Sequence, residues 1–133
     1  MKNTTNKLSS FSSEKFFSND CFCNKKELSL YINEIMRNKN LISSDIYKRA
    51  DISKQTWSHI YSGQNCPSPE NARRLLIGLK CDLMESEKFL SYCGMSFVTG
   101  SIYDDCLLYC LENHYDNMVD VSIYINQQLS SAA

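Results

Sequence analysis

The chain has 133 residues, 43% hydrophobic and 22% charged, which suits one folded domain with a real core. Its net charge of −1 gives no support to a polyanionic partner, and no apolar run is long enough to span a membrane. The seven cysteines (21, 23, 66, 81, 93, 106 and 110) are odd in number, and the start, MKNTTNKLSSFSSEKFF, lacks a secretory apolar stretch, which predicts reduced thiols in a cytoplasmic protein rather than a disulfide framework.

Charge is distributed unevenly. Residues 1–26 carry five Lys against Glu14 and Asp20, and residues 27–81 carry eight Lys or Arg against five acids, a net of +3 in each case. Residues 82–133 carry Lys88 alone against eight acids, a net of −7. That asymmetry predicts a basic face and an acidic back, set against the plainer reading of chance clustering on a solvated surface.

Residues 1–26, rich in Asn, Ser and Lys, show no helical apolar period and read as a flexible N-terminal arm. Their Phe11, Phe16, Phe17 and Phe22 are either a partner-binding motif or sticky positions in a tail. A helical pattern then runs over residues 27–130. ELSLYINEIMRNKN places Leu28, Tyr31, Ile32, Ile35 and Met36 at spacings of three and four, and Asn38 to Asn40 ends it. SSDIYKRA opens with Ser43 and Ser44 as expected caps, with Ile46, Tyr47 and Ala50 on one side. Ser53 caps KQTWSHIYS, which turns Trp57 and Ile60 inward and stops at Gly63.

After the loop QNCPSP, Ser68 caps PENARRLLIGLK, with Pro69 at the first helical position and Ala72, Leu75, Leu76 and Leu79 as the buried stripe. MESEKFLSYCG follows, with Phe89, Leu90 and Cys93 inward and Gly94 as the stop. IYDDCLLYCLENH and DNMVDVSIYINQQL read as two further helices, and no period-two pattern predicts a strand. On the last helix, Met118, Val121, Ile125 and Leu129 form one stripe, which either pairs two copies of the chain or packs within the monomer.

The helices expected at 43–50 and 53–62, joined by Asp51 and Ile52, make a tight corner. Ile46 and Ala50 can pack on Trp57 and Ile60 across it, which leaves Lys54, Gln55, Thr56 and His59 facing outward. A polar helix start on a rigid core is what major-groove reading requires. The N–H groups at that start also favour a phosphate.

From Leu41 to Gly63 the stretch resembles the helix-turn-helix of the phage repressor and Cro class, the XRE-like domains. Ala50 falls on the class's second small position, Ile52 and Ser53 on its apolar-then-Ser/Thr turn, and Trp57, Ser58 and Ile60 on its recognition-helix core pattern. Gly63 falls on its closing Gly, and the Pro67 region on the loop before its fourth helix. The class usually has Gln at the position of Ser43, Ala at Tyr47 and Gly at Asp51; Asp tolerates the left-handed conformation such a turn needs. A broader resemblance, over Leu28 to Gln127, is to a bacterial module of this type with two added C-terminal helices and unsettled function.

The resemblance implies an all-α, repressor-like bundle of six or seven helices, its helix-turn-helix core over residues 28–94. In the class, residues matching Lys54, Gln55, Thr56 and His59 contact bases or nearby backbone, and those matching Ser43, Gln64 and Asn65 touch phosphates. The DNA-facing set expected here is therefore Ser43, Ser53, Lys54, Gln55, Thr56, Ser58, His59, Gln64 and Asn65. Lys suits guanine edges and Gln suits adenine edges, so Lys54 and Gln55 lead it. Arg37, Lys48, Arg49, Arg73 and Arg74 are expected to add longer-range attraction to phosphates.

The expected function is sequence-specific binding of double-stranded DNA by a transcriptional regulator. The alternative keeps the fold but makes it a protein-interaction module. Trp57 has a second reading as a stacking platform for single strands, against a core role that its spacing with Ile60 favours. Cys106 and Cys110 share a helix face and are expected to be small buried apolar residues rather than metal ligands. With two His, no nucleophile–base spacing and no Gly-rich phosphate loop among four Gly, neither an enzyme nor a cofactor is expected.

Overall fold

The computed structural model describes residues 23–132. The expected arm over residues 1–26, with its four Phe, therefore lies almost wholly outside the described residues. Those described form seven helices and no strand: α1 (Lys25–Lys39), α2 (Ser43–Ala50), α3 (Lys54–Tyr61), α4 (Pro69–Gly78), α5 (Leu83–Tyr92), α6 (Ile102–Glu112) and α7 (Met118–Ala132). None is long and apolar enough to cross a membrane.

Each helix start has a local cause, and three differ from the sequence expectation. α1 begins at Lys25 because the Asn24 side chain accepts the Glu27 N–H at 3.1 Å. α2 has no side-chain cap: Ile42 is its extended N-cap and Ser43 is already helical. The reason is the short link from α1. Asn40 turns left-handed and half-buried Leu41 follows, so the chain reaches the helix one residue before a Ser can cap it. α5 carries a capping box that the sequence reading passed over, with Asp82 and Glu85 each bonding the other's backbone N–H. Ser53, Ser68 and Pro69 stand as expected.

α4 is the central helix, with Ala72, Leu75, Leu76, Ile77 and Leu79 all buried. It contacts α2, α5, α6 and α7, and its most extensive contact is with α2. That closeness depends on Gly78, where an added Cβ would lie 2.6 Å from the Ile46 carbonyl oxygen. The Arg49 guanidinium seals the crossing by donating to the Gly78 carbonyl from two nitrogens, at 3.1 and 2.8 Å. α5 packs on α1, and Lys39 ties the two by donating to Glu85 at 2.6 Å.

α6 and α7 close the far side. Met118, Val121 and Ile125 are buried within the chain, and Leu129 alone of that stripe is exposed, at 44%. Of the two readings of that stripe, packing within the monomer accounts for Met118, Val121 and Ile125. Cys106 and Cys110 are buried apolar residues, as their spacing implied. The expectation of reduced thiols throughout fails at one place. Cys23 and Cys66 form a disulfide, with Cα atoms 6.4 Å apart. Cysteines 43 positions apart in sequence carry no periodic signal, so only the folding of α1 against α3 brings them together.

Candidate nucleic-acid interface

The candidate surface is built on the corner of α2 and α3. Asp51 is left-handed (φ 56°), and its N–H and that of Ile52 bond the Lys48 and Tyr47 carbonyls at 3.2 and 3.1 Å. That turn ends α2 and redirects the chain without a glycine. Ile46 and Ala50 are buried on one side of the corner, Trp57 and Ile60 on the other. Tyr47 packs half-buried against the core.

Trp57 is 3% exposed and stacks on Tyr61 at 5.4 Å, which makes it a core residue and not a platform for bases. Tyr61 also docks α3 on α1. Its hydroxyl donates to Asn33 at 3.0 Å, and its carbonyl accepts from Ser29 at 2.7 Å. The inner face of α3 is therefore fixed, and its outer face is fixed with it.

On that outer face Lys54, Gln55 and Ser58 are exposed and His59 is half-buried. Helical spacing puts Lys54 with Ser58 and Gln55 with His59. The Gln64 and Asn65 N–H groups both bond the His59 carbonyl, at 2.9 and 3.1 Å. These two exposed side chains are thereby gathered at the end of α3. Ser53 and Thr56 have another task. The Ser53 hydroxyl accepts the Thr56 N–H at 3.0 Å and donates to the Thr56 hydroxyl at 2.8 Å, which caps the helix. Ser43 lies on the first turn of α2, half-buried, with no hydrogen bond linking it to the α3 set.

Three of the five cations expected to attract phosphates are committed elsewhere. Arg73 is buried and bonds both carboxylate oxygens of Asp104, at 2.7 and 3.0 Å. Arg74 bonds Glu70 at 2.9 Å and the Asp51 carbonyl at 2.9 Å, and Arg49 is held at Gly78. Arg37, Lys48 and Lys54 form no ion pair among the described residues. The sequence reading missed these commitments because a helix period shows which face is apolar but not which charge meets a partner on another helix.

Two concave features among the described residues lie around the turn from α6 to α7. One cavity of about 180 Å³ is lined by residues that include Ile77, Cys81, Leu111 and His114. Among the described residues, no group of three or more His, Cys, Asp or Glu is placed to hold a metal ion. Comparison with known proteins adds no relative: no protein-family model, no curated protein and no solved structure matches the chain.

Proposed function

We propose that this chain binds double-stranded DNA by laying the outer face of α3 in the major groove, as a regulator of the repressor-like kind. The observation that carries the reading is the contrast across α3. Its inner side is locked by Trp57, Ile60 and Tyr61, while Lys54 and Gln55 stand exposed at its start and Ser58 one turn on. Groove reading needs this pairing of a rigid back with free polar ends, because a floating helix would lose its contacts to side-chain and backbone entropy. Lys54 and Gln55 read base edges, and Gln64 and Asn65 bond phosphates beside them.

Selection from a random duplex pool at about 0.1 M salt, where screening extends about 10 Å, tests this. The expected result is an enriched motif that Lys54→Ala/Gln55→Ala loses, with affinity falling by about 1–3 kcal/mol for each base contact removed. Absence of enrichment with either protein sinks the reading.

A second reading, a protein-interaction module, is favoured by one observation. Arg49, Arg73 and Arg74 are tied up, and Asp45 in the first turn of α2 and Asp51 at its end have exposed side chains, so the surface is poorer in free positive charge than its composition suggests. Capture of a protein partner that Lys54→Ala/Gln55→Ala abolishes, alongside failed DNA selection, decides for it.

A further inference from the structure

Among the described cysteines, sulfur chemistry is confined to one place. Cys81, Cys93, Cys106 and Cys110 are buried. Burial pushes the Cys93 thiol up to about 12 and the Cys110 thiol to about 11, and raises Cys81 and Cys106 as well. A buried thiol with a raised pKa carries little thiolate near neutral pH and is a poor partner for exchange. Cys23 and Cys66 are different. Both are half-buried, both lie outside helices, and they are bonded to each other. Their Cα separation of 6.4 Å falls inside the range of about 4.4–6.8 Å that a disulfide spans without moving the backbone.

Their position gives the bond mechanical effect. Cys23 precedes Asn24, which caps α1 and whose N–H bonds the Tyr92 carbonyl at the end of α5 at 2.8 Å. It is therefore fixed to the frame of the molecule. Cys66 lies in the link between α3 and α4, directly after Gln64 and Asn65. Those two are held to α3 by their N–H bonds to His59, and Pro67 behind them is buried. The bond closes a loop containing all of α1, α2 and α3.

We propose that Cys23 and Cys66 are a reversible thiol–disulfide exchange site for low-molecular-weight disulfides of the glutathione class, and that its state sets how firmly the α3–α4 link is held. In the oxidising direction one thiolate of the pair attacks a sulfur of glutathione disulfide. A mixed disulfide forms and one glutathione thiolate leaves. The second thiolate then attacks the protein-side sulfur and expels the second glutathione. The pair loses two electrons and two protons, and one glutathione disulfide becomes two glutathione thiols. Reduction by glutathione runs the same steps backward. Closing the bond anchors Cys66 to the frame and so damps the motion of Gln64 and Asn65. Opening it leaves them on two backbone bonds to His59. This stands whichever macromolecule α3 meets.

The test equilibrates the full chain in glutathione buffers of graded thiol-to-disulfide ratio, quenches in acid, alkylates, and maps each cysteine by mass spectrometry. Hydrogen exchange is followed at the Gln64 and Asn65 amides in the same samples. The Cys23–Cys66 linkage is expected to titrate with the ratio while Cys81, Cys93, Cys106 and Cys110 remain thiols. Exchange at the two amides is expected to slow at least tenfold on closure. In Cys23→Ser, Cys66 is expected to stop at the mixed disulfide. The proposal is overturned by any of three results: no linkage even in excess glutathione disulfide, pairing of Cys66 with Cys21, or equal amide exchange in both states.

Discussion

Arg73 and Asp104 illustrate how one pair of side chains organises the back of this molecule. Arg73 on α4 grips both oxygens of Asp104 on α6 through Nε and Nη2; Nη2 also donates to the Ser96 carbonyl and Nη1 to the Pro69 carbonyl, each at 3.1 Å. Asp104 also accepts the Val98 N–H at 2.7 Å, so the link between α5 and α6 folds over a fully bonded ion pair. Burial acts to raise the Asp104 pKa, but the Arg73 hydrogen bonds, the Val98 N–H and the Arg73 charge outweigh it and hold the carboxyl below its ordinary value of 3.8. A depressed acid stabilises the fold fully above its unfolded value, and that contribution is lost as pH falls from there through the folded value. Asp104→Asn leaves a buried guanidinium without its counter-charge and is expected to cost about 3–5 kcal/mol at pH 7. The gap to the unmodified chain narrows below about pH 4, as the unmodified chain loses its ionised partner too. Urea unfolding at pH 7 and pH 3 measures both, and a gap independent of pH refutes the assignment. The sequence hinted at this burial. Ala72, Leu75, Leu76 and Leu79 mark one face of α4, but Ile77 and Gly78 are buried as well. A helix covered on so many sides has little solvent to offer an arginine, although the partner 31 positions away was invisible.

At the scale of elements, the α2–α4 crossing decides where α3 stands. α2 and α3 share the Asp51 turn, so any displacement of α2 carries the candidate face with it. An added Cβ at Gly78 lies 2.6 Å from the Ile46 oxygen and 3.0 Å from the Ala50 Cβ, and the first of these is backbone that cannot rotate aside. Alanine is intrinsically the better helix former, by about 1 kcal/mol. The clash outweighs this, because forcing a methyl into packed backbone costs about 1–3 kcal/mol or more. Gly78→Ala is therefore expected to lower the thermal midpoint by several degrees, reversing the usual gain at a helical glycine; a raised midpoint counts against the crossing. Most elements were legible because their apolar residues recur every three or four positions and because Ser53 and Ser68 are ordinary caps. The crossing was not. Gly78 reads as one small residue in an apolar run, and only the approach of α2 shows why it must be small. The same blindness extended α4 to Lys80, whereas Gly78 is its last helical residue and Lys80 turns left-handed.

For the whole molecule, the charge asymmetry makes a quantitative demand on the proposed function. Residues 27–81 carry a net +3, but counting charges overstates what a polyanion would meet. Arg49, Arg73 and Arg74 are each bound to a carbonyl or carboxylate of the chain itself. On the α2–α3 pair, Lys48 and Lys54 are the exposed cations, with Asp45 and Asp51 on the same pair. Behind them, residues 82–133 carry a net −7 and repel a polyanion at any distance where screening is weak. Neutralising each phosphate contributes a slope of about −0.9 to log affinity against log salt. With about two or three phosphates met by free cations, the slope for duplex DNA is expected near −2 to −3, shallow for a groove-binding protein. Affinity then rests on base edges and neutral hydrogen bonds from Gln55, Gln64 and Asn65, so salt should weaken binding modestly while Gln55→Ala removes much of it. Fluorescence anisotropy between about 0.05 and 0.2 M salt reads the slope, and Lys48→Ala, which removes an exposed cation not assigned to a base, should flatten it by about one unit. A slope steeper than about −5 would require cations beyond the α2–α3 pair. Lys2, Lys7 and Lys15, which precede the described residues, would be the first to replace. Absence of measurable duplex binding even at the lowest salt, where every cation is screened least, would instead favour a protein as the partner of α3.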